Sequence, residues 1–389
     1  MVHSRRYFFG ACAMLLAGRL DPGWAQGPLQ RRRRRFPGAA PPVDEEQAEQ
    51  QYIERTNAAL DKLMAWASQK PKHRLLFSAN LFLAHGAIVT RFPQETLIAY
   101  ADRLKETGLH RIDINPTPQP WVNRDQATIA KYDALIEHIR RSGLQLALNP
   151  AYVEGQLPVR SFEDWQNAAS GFYTELARRY KPDVFVVAHE PTTMNRRMKI
   201  EASPQQWADF SRAMALAVKK QSGRSRCGAG GLASEMDYFK EFLRVRELDV
   251  MTLDIYFLGA IPTYNQMVAL ARKAGKPVYI EETWRTPFQG ARRGRNFSMA
   301  DYVPGRTIAS EEFQALDSKW LRAMTMYASA MQMEAITPFW TQTFFKYSRS
   351  QTSSLSYEYN AEAAQAIRSG QRTPTWETFR ELIREYGTS

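Results

Sequence analysis

Eight short apolar runs recur along the chain, each followed by a longer amphipathic stretch, and this rhythm restricts the fold more than any other feature of the sequence. The runs are Leu75–Ala79, His110–Ile114, Leu144–Leu148, Val184–His189, Cys227–Ala229, Val250–Tyr256, Val278–Glu282 and Ala335–Trp340. Between them, apolar residues follow helical spacing over Glu95–Glu106, Asp125–Arg141, Phe162–Tyr180, Pro204–Lys220, Tyr264–Ala274 and Glu311–Met331. These stretches open near Pro, Ser, Thr or Asp, and several close on Gly. Eight strand-then-helix units in one domain predict an α/β fold, a single closed (β/α)8 TIM barrel. A doubly wound open sheet is the competing architecture; the lack of a Gly-x-Gly-x-x-Gly turn after the first run counts against its nucleotide-binding form. The fifth run is the poorest strand, because Gly228, Gly230 and Gly231 disfavour regular pleating. Ahead of the first run, Asp44–Gln69 carries Tyr52, Ile53, Leu60, Leu63 and Met64 at near-helical spacing and predicts an extra N-terminal helix on the barrel exterior.

The first residues predict export. Ser4-Arg5-Arg6-Tyr7-Phe8-Phe9 runs into an apolar stretch that reaches Gly18, and small residues Gly23 and Ala25 follow, a pattern similar to a twin-arginine signal cleaved after Ala25. Roughly a dozen apolar residues fall short of the ~20 that span a bilayer, so residues 1–25 predict a removable signal and a mature chain without stable membrane insertion. Residues 26–43, with Arg31 to Arg35 followed by Pro37, Gly38, Pro41 and Pro42, predict a solvated basic linker, and residues 44–389 the barrel domain. The linker carries much of the basic balance: beyond residue 35 the chain holds 44 basic against 39 acidic residues, so nothing calls for nucleic acid. Cys227 is the one cysteine after the signal, which excludes an internal disulfide in the mature chain. The expected location is periplasmic or extracellular.

In such barrels the chemistry sits at the C-terminal ends of the strands. Those positions hold Arg111, Asn115, Asn149, His189, Glu190, Tyr256, Glu281, Glu282 and Trp340, with Trp121 and Trp284 in the loops that follow. Two segments place a carboxylate directly after an apolar strand: Val184-Phe185-Val186-Val187-Ala188-His189-Glu190-Pro191 and Pro277-Val278-Tyr279-Ile280-Glu281-Glu282-Thr283-Trp284. Strand alternation puts Val186, Ala188 and Glu190 on one face and Val278, Ile280 and Glu282 on another, both directed into the mouth, and sends Glu281 toward the helices.

These two segments, on the fourth and seventh runs, resemble the motifs of glycoside hydrolase clan A, the retaining (β/α)8-barrel glycosidases with catalytic glutamates at the ends of those strands. The resemblance extends as an eight-unit pattern over most of residues 70–345. It implies Glu190 as acid/base and Glu282 as nucleophile. It further implies Arg111 beside the nucleophile, Tyr256 hydrogen-bonded to it, and Trp340 as an aromatic platform for the sugar. His189 departs from the pattern, standing where the clan has an asparagine that holds the sugar 2-hydroxyl. Trp121, Tyr152, Trp284, Phe288 and Phe344 are further aromatics available to pack on sugar rings. The Gln289–Arg306 segment, with Arg292, Arg293, Arg295 and Arg306, is a basic loop that makes acidic sugars thinkable.

The implied reaction is retaining hydrolysis of an oligo- or polysaccharide, with no cofactor. Arg111 and Tyr256 are expected to favour ionised Glu282, whose charge in turn raises the pKa of Glu190. The six histidines are scattered and the first strand has no His-x-His pair, so no metal is expected. A non-catalytic carbohydrate-binding barrel of the cell envelope and a barrel hydrolase or lyase acting on a non-glycan are the alternatives. Sugar, linkage, endo or exo action and oligomeric state have no signature in the sequence.

Overall fold

The computed structural model describes residues 45–152, 157, 159–285, 310–347 and 357–388. The predicted signal, the linker, Phe288 and the Gln289–Arg306 segment lie outside the described residues. Eight parallel strands close into a barrel, each paired with the next and the last with the first: β1 (Leu76–Asn80), β2 (Arg111–Ile114), β3 (Gln145–Leu148), β4 (Val184–His189), β5 (Arg226–Gly231), β6 (Val250–Ile255), β7 (Val278–Thr283) and β8 (Ala335–Pro338). Among the described residues no helix is long and apolar enough to cross a membrane.

The helices form the outer layer. In chain order they are α1 (Glu45–Ala67), α2 (Gln94–Lys105), α3 (Gln119–Val122), α4 (Gln126–Arg141), α5 (Phe162–Tyr180), α6 (Pro191–Met198), α7 (Pro204–Gln221), α8 (Met236–Leu243), α9 (Ile261–Lys273), α10 (Ser310–Ala330), α11 (Tyr357–Ser369) and α12 (Pro374–Tyr386). Their starts are written in the sequence. Asp125 accepts from the backbone N–H of Thr128 and caps α4, Ser161 does the same for α5 through Asp164, and Ser203 with Gln206 forms a capping box ahead of Pro204 on α7. The extra helix α1 packs along α10, on the helix layer as expected.

The inside of the barrel has its own small apolar cluster, formed by Leu76, Ala147, Val184, Val250, Tyr279 and Ala335 from six strands. Those residues set the phase of each strand, and they contradict the simple alternation drawn from sequence. On β7, Tyr279 and then Glu281 face inward, while Val278 and Ile280 pack in the outer core. Glu282 reaches the mouth because the register slips: Leu253 pairs with Ile280, but the next residue, Asp254, pairs with Glu282. Glu281 is the additional residue of a β-bulge, a device that re-aims side chains and enlarges the local twist. Two successive glutamates therefore enter the interior, and Glu281 is not turned toward the helices. A second bulge in β4, at Val187, sends Ala188 to the outer core and brings His189 to the inward phase.

Strand β5 runs from Arg226 to Gly231, longer than its glycines suggested. They are required by close approach: a Cβ on Gly230 would sit 1.8 Å from the Thr252 carbonyl oxygen, and one on Gly228 would sit 2.9 Å from Val250 Cγ1. Gly230→Ala is expected to cost about 3 kcal/mol in chemical denaturation, since the obstacle is backbone. Gly259→Ala, where an added Cβ meets nothing within 4 Å, is expected to stay within about 0.5 kcal/mol; equal stability of the two variants would contradict this account of β5.

Candidate active site

Glu282 lies at the C-terminal end of β7 with 5 % of its surface exposed. The Tyr256 hydroxyl, one residue past β6, donates to its Oε2 at 2.5 Å. Burial and, after it, the charge of Glu190 push the Glu282 carboxyl up to about 8, against the pull of the Tyr256 hydrogen bond and the Arg197 guanidinium. The cation acting on Glu282 is thus Arg197, from α6. Arg111 differs from its expected place: fully buried on β2, it meets Asp113 at 3.0 Å and the Ser78 hydroxyl at 3.3 Å and stacks on the Tyr279 ring 5.0 Å away. It neutralises the layer beneath the mouth, where Asp113 and the inward-turned Glu281 stand, and it does not reach the proposed nucleophile.

Glu190 follows β4 and precedes Pro191, the first residue of α6. Its backbone is left-handed, at φ 43° and ψ 66°, a region that costs a residue with a Cβ on the order of 1–2 kcal/mol. The surroundings hold it there. Its N–H donates to the Gly230 carbonyl, and its carbonyl accepts from Met194. Glu235, just after β5, accepts from the backbone and hydroxyl of Thr192 and from the Leu232 N–H, tying the start of α6 to β5. Gly231 makes this contact possible, because a Cβ there would lie 2.2 Å from Glu235 Oε2 and 3.0 Å from Glu190 Cα. Burial, with the charge of Glu190 second, lifts the Glu235 carboxyl to about 7.

His189 ends β4, and its ring reaches across the mouth toward β6 and β7. Its Nδ1 accepts from Asn149 Nδ2 at 2.5 Å, and its Nε2 lies 3.3 Å from Asp254 Oδ2 and 3.5 Å from Glu282 Oε1. Burial first, then the charge of Arg197, brings the ring down to about 4 despite the opposing charge of Glu190, so it is neutral above pH ~5. One atom each of His189, Glu190 and Glu282 lie within 4.8 Å of one another. With Nδ1 accepting, the ring proton is on Nε2, which leaves no lone pair there for a metal ion.

Asp254, the cross-strand partner of Glu282, was not singled out from the sequence. It is 1 % exposed, and its carboxyl stands well above the ordinary range because of burial and then the charges of Glu282, Glu190, Glu281 and Glu235. An acidic residue between apolar neighbours within a strand was the available signal, present also for Asp113 between Ile112 and Ile114 in β2. Of the aromatics, Trp340 is beside the site, its ring 5.8 Å from that of Tyr256. Phe339, part-exposed, closes the same corner against Phe82 and Tyr256. Trp284 is instead core: 3 % exposed, it packs on Phe344 at 6.0 Å and hydrogen-bonds Asp317, so it offers no face to a ligand. Trp121 packs among Tyr132, Phe172 and Tyr180, Tyr152 against Trp165, and Phe344 against Phe379.

No family model matches the sequence, and none of the curated proteins resembles it at the level of sequence. Solved structures do resemble it. GH5_18 from Streptomyces cattleya in complex with GlcNAc aligns at a TM-score of 0.54 and 11 % identity over 81 % of both chains. A variant of that protein in complex with Manβ1-4GlcNAc aligns at 0.55 and 13 %, again over 81 % of both. A β-galactosidase from the psychrophilic Marinomonas ef1 aligns at 0.50 and 11 %, over 80 % of this chain and 59 % of the other. At these identities the likeness is one of fold: the chain is a (β/α)8 barrel of the kind on which the clan A glycoside hydrolases are built.

Proposed function

We propose that this protein hydrolyses glycosidic bonds with retention of configuration, Glu190 serving as acid/base and Glu282 as nucleophile. The observation that carries the reading is the approach of the two carboxylates at the barrel mouth, with one oxygen of each within 4.8 Å of the other. Retention by double displacement uses carboxyl groups ~5–5.5 Å apart, whereas inversion leaves ~6.5–9.5 Å for a water between them. The barrel's likeness to solved glycoside hydrolases supports the reading at the level of fold. The substrate class is a saccharide, and export through residues 1–25 to the periplasm or beyond belongs to the same proposal.

The chemistry follows from the geometry. Glu282, its Oε2 fixed by Tyr256, attacks the anomeric carbon while Glu190 gives its proton to the leaving oxygen, so a bond to Glu282 forms as the glycosidic bond breaks. Once Glu282 is esterified its charge is gone, and Glu190, now the anion, takes a proton from the incoming water, which releases the sugar. Burial and the charge of Glu190 favour a proton on Glu282 at rest, and the reaction uses the microstate in which that proton is on Glu190.

Glu282→Ala is expected to lower kcat by roughly 10⁴-fold or more with the thermal transition unchanged. Glu190→Gln is expected to cost about 10²–10⁴-fold on glycosides with poor leaving groups and far less on activated aryl glycosides, which need no acid. Substantial turnover by purified Glu282→Ala would reject the assignment, and glycan binding without turnover by the wild type would favour the carbohydrate-binding alternative.

The sign of the pH dependence follows from the raised carboxyl. Glu282 keeps a proton up to about pH 8, and the reaction needs that proton passed to Glu190, so kcat/KM is expected to fall as pH rises through about 8. With an activated aryl glycoside, Glu190→Gln is expected to lose this alkaline limb, because the acid whose proton the limb reports is gone and the activated leaving group needs none. A limb unchanged in the variant would show that another group sets it.

A further inference from the structure

The imidazole that stands where the clan has its asparagine has Nδ1 bonded to Asn149 and turns Nε2 to two carboxylates. We infer that His189 is a positioning residue for Glu282 and not a ligand of the substrate 2-hydroxyl, and that Asp254 competes with Glu282 for its one N–H. The inference rests on the reading of Glu282 as nucleophile. Asn149 donates to Nδ1 at 2.5 Å, which assigns the ring proton to Nε2. Nε2 then faces two carboxylates, Asp254 at 3.3 Å and Glu282 at 3.5 Å, whose residues are paired across β6 and β7. The Nε2–H stands between these two acceptors with a good hydrogen bond to Asp254 not yet made, so either carboxylate can draw it in.

Asp254 adds an independent observation. Both its oxygens are buried and receive no hydrogen bond of good geometry, although its residue is 1 % exposed. An ionised carboxylate left in that state would cost several kcal/mol. The groups facing it are His189 and Glu190 from β4 and its end, Glu235 after β5, Glu281 and Glu282 on β7, and Tyr264 on α9, whose hydroxyl is spent on the Asp254 backbone carbonyl. No cation is among them. Held as a neutral acid, Asp254 is the weaker acceptor and leaves the His189 N–H to an ionised Glu282. In that state the nucleophile has a donor on each oxygen, Tyr256 on Oε2 and His189 on Oε1.

The test separates positioning from sugar binding. His189→Met removes the donor; His189→Gln keeps an N–H near the place of Nε2. His189→Met is expected to lower kcat about 100-fold with little change in KM, and His189→Gln to recover most of that loss. The deciding comparison is the rate ratio between an aryl glycoside and its 2-deoxy counterpart. It is expected to be the same in the wild type and in His189→Met, because the ring does not touch the sugar 2-oxygen. A ratio that collapses in His189→Met would overturn the inference. A readout without turnover is the nitrogen-15 NMR signal of the His189 ring, assigned by its loss in His189→Met. It is expected to report the neutral Nε2–H form at pH 7 and to move in Glu282→Gln. An Nδ1–H form, or a signal indifferent to Glu282→Gln, would contradict the inference even if the wild type hydrolysed no glycoside, an outcome that would instead remove the reading of function.

Discussion

Taking a carboxylate out of water costs several kcal/mol unless charge or hydrogen bonds replace the water, and six of them, Asp113, Glu190, Glu235, Asp254, Glu281 and Glu282, are each no more than 5 % exposed at or below the mouth of this barrel. The rest of the site depends on how that cost is met. Arg111 neutralises the lower layer through Asp113. Glu235 spends its oxygens on the backbone at the start of α6 and on the Leu232 N–H just after β5. Asp254 and Glu281 have neither provision in full and sit well above the ordinary carboxyl range, chiefly because of burial. What remains is Glu282, whose raised carboxyl exchanges its proton near neutral pH beside Glu190, the condition acid/base chemistry needs.

The backbone is shaped to bring these groups together. A regular β7 would present either Glu281 or Glu282 to the interior; the bulge presents both. A regular exit from β4 would not leave Glu190 in a left-handed conformation against Gly231, and only a residue without a Cβ at that position allows it. Bulge, left-handed glutamate and close-packed glycines all fall at the C-terminal end of strands β4 to β7, where backbone strain and irregular pairing are commonly concentrated in functional sites.

The fold was legible because hydrophobic periodicity and helix caps are local signals: the eight strands occur where the apolar runs lie, and α5 has the bounds that its spacing predicted. Candidate carboxylates were legible as polar residues ending apolar strands. The facing of Glu281 was not, because alternation assumes an unbroken register and a bulge leaves no mark in composition. Resemblance put Arg111 beside the nucleophile, and its place after the seventh run made Trp284 an aromatic candidate for sugar; Arg111 is drawn to Asp113, two residues along its own strand, and Trp284 to Phe344 and Asp317. Asp254 was overlooked because its position two residues before Tyr256 was read for the tyrosine alone. The glycines of β5 were read as a weakness of the strand, whereas their missing side chains are what lets β5 lie against Thr252 and Glu190.

The central claim is that two carboxylates this close act by double displacement. Proton NMR of the products in the first minutes of hydrolysis, before the sugar mutarotates, tests it directly. The anomer first released is expected to have the configuration of the bond that was cut; the opposite anomer would mean that water attacks directly and that the approach of Glu190 and Glu282 does not reflect the reacting geometry.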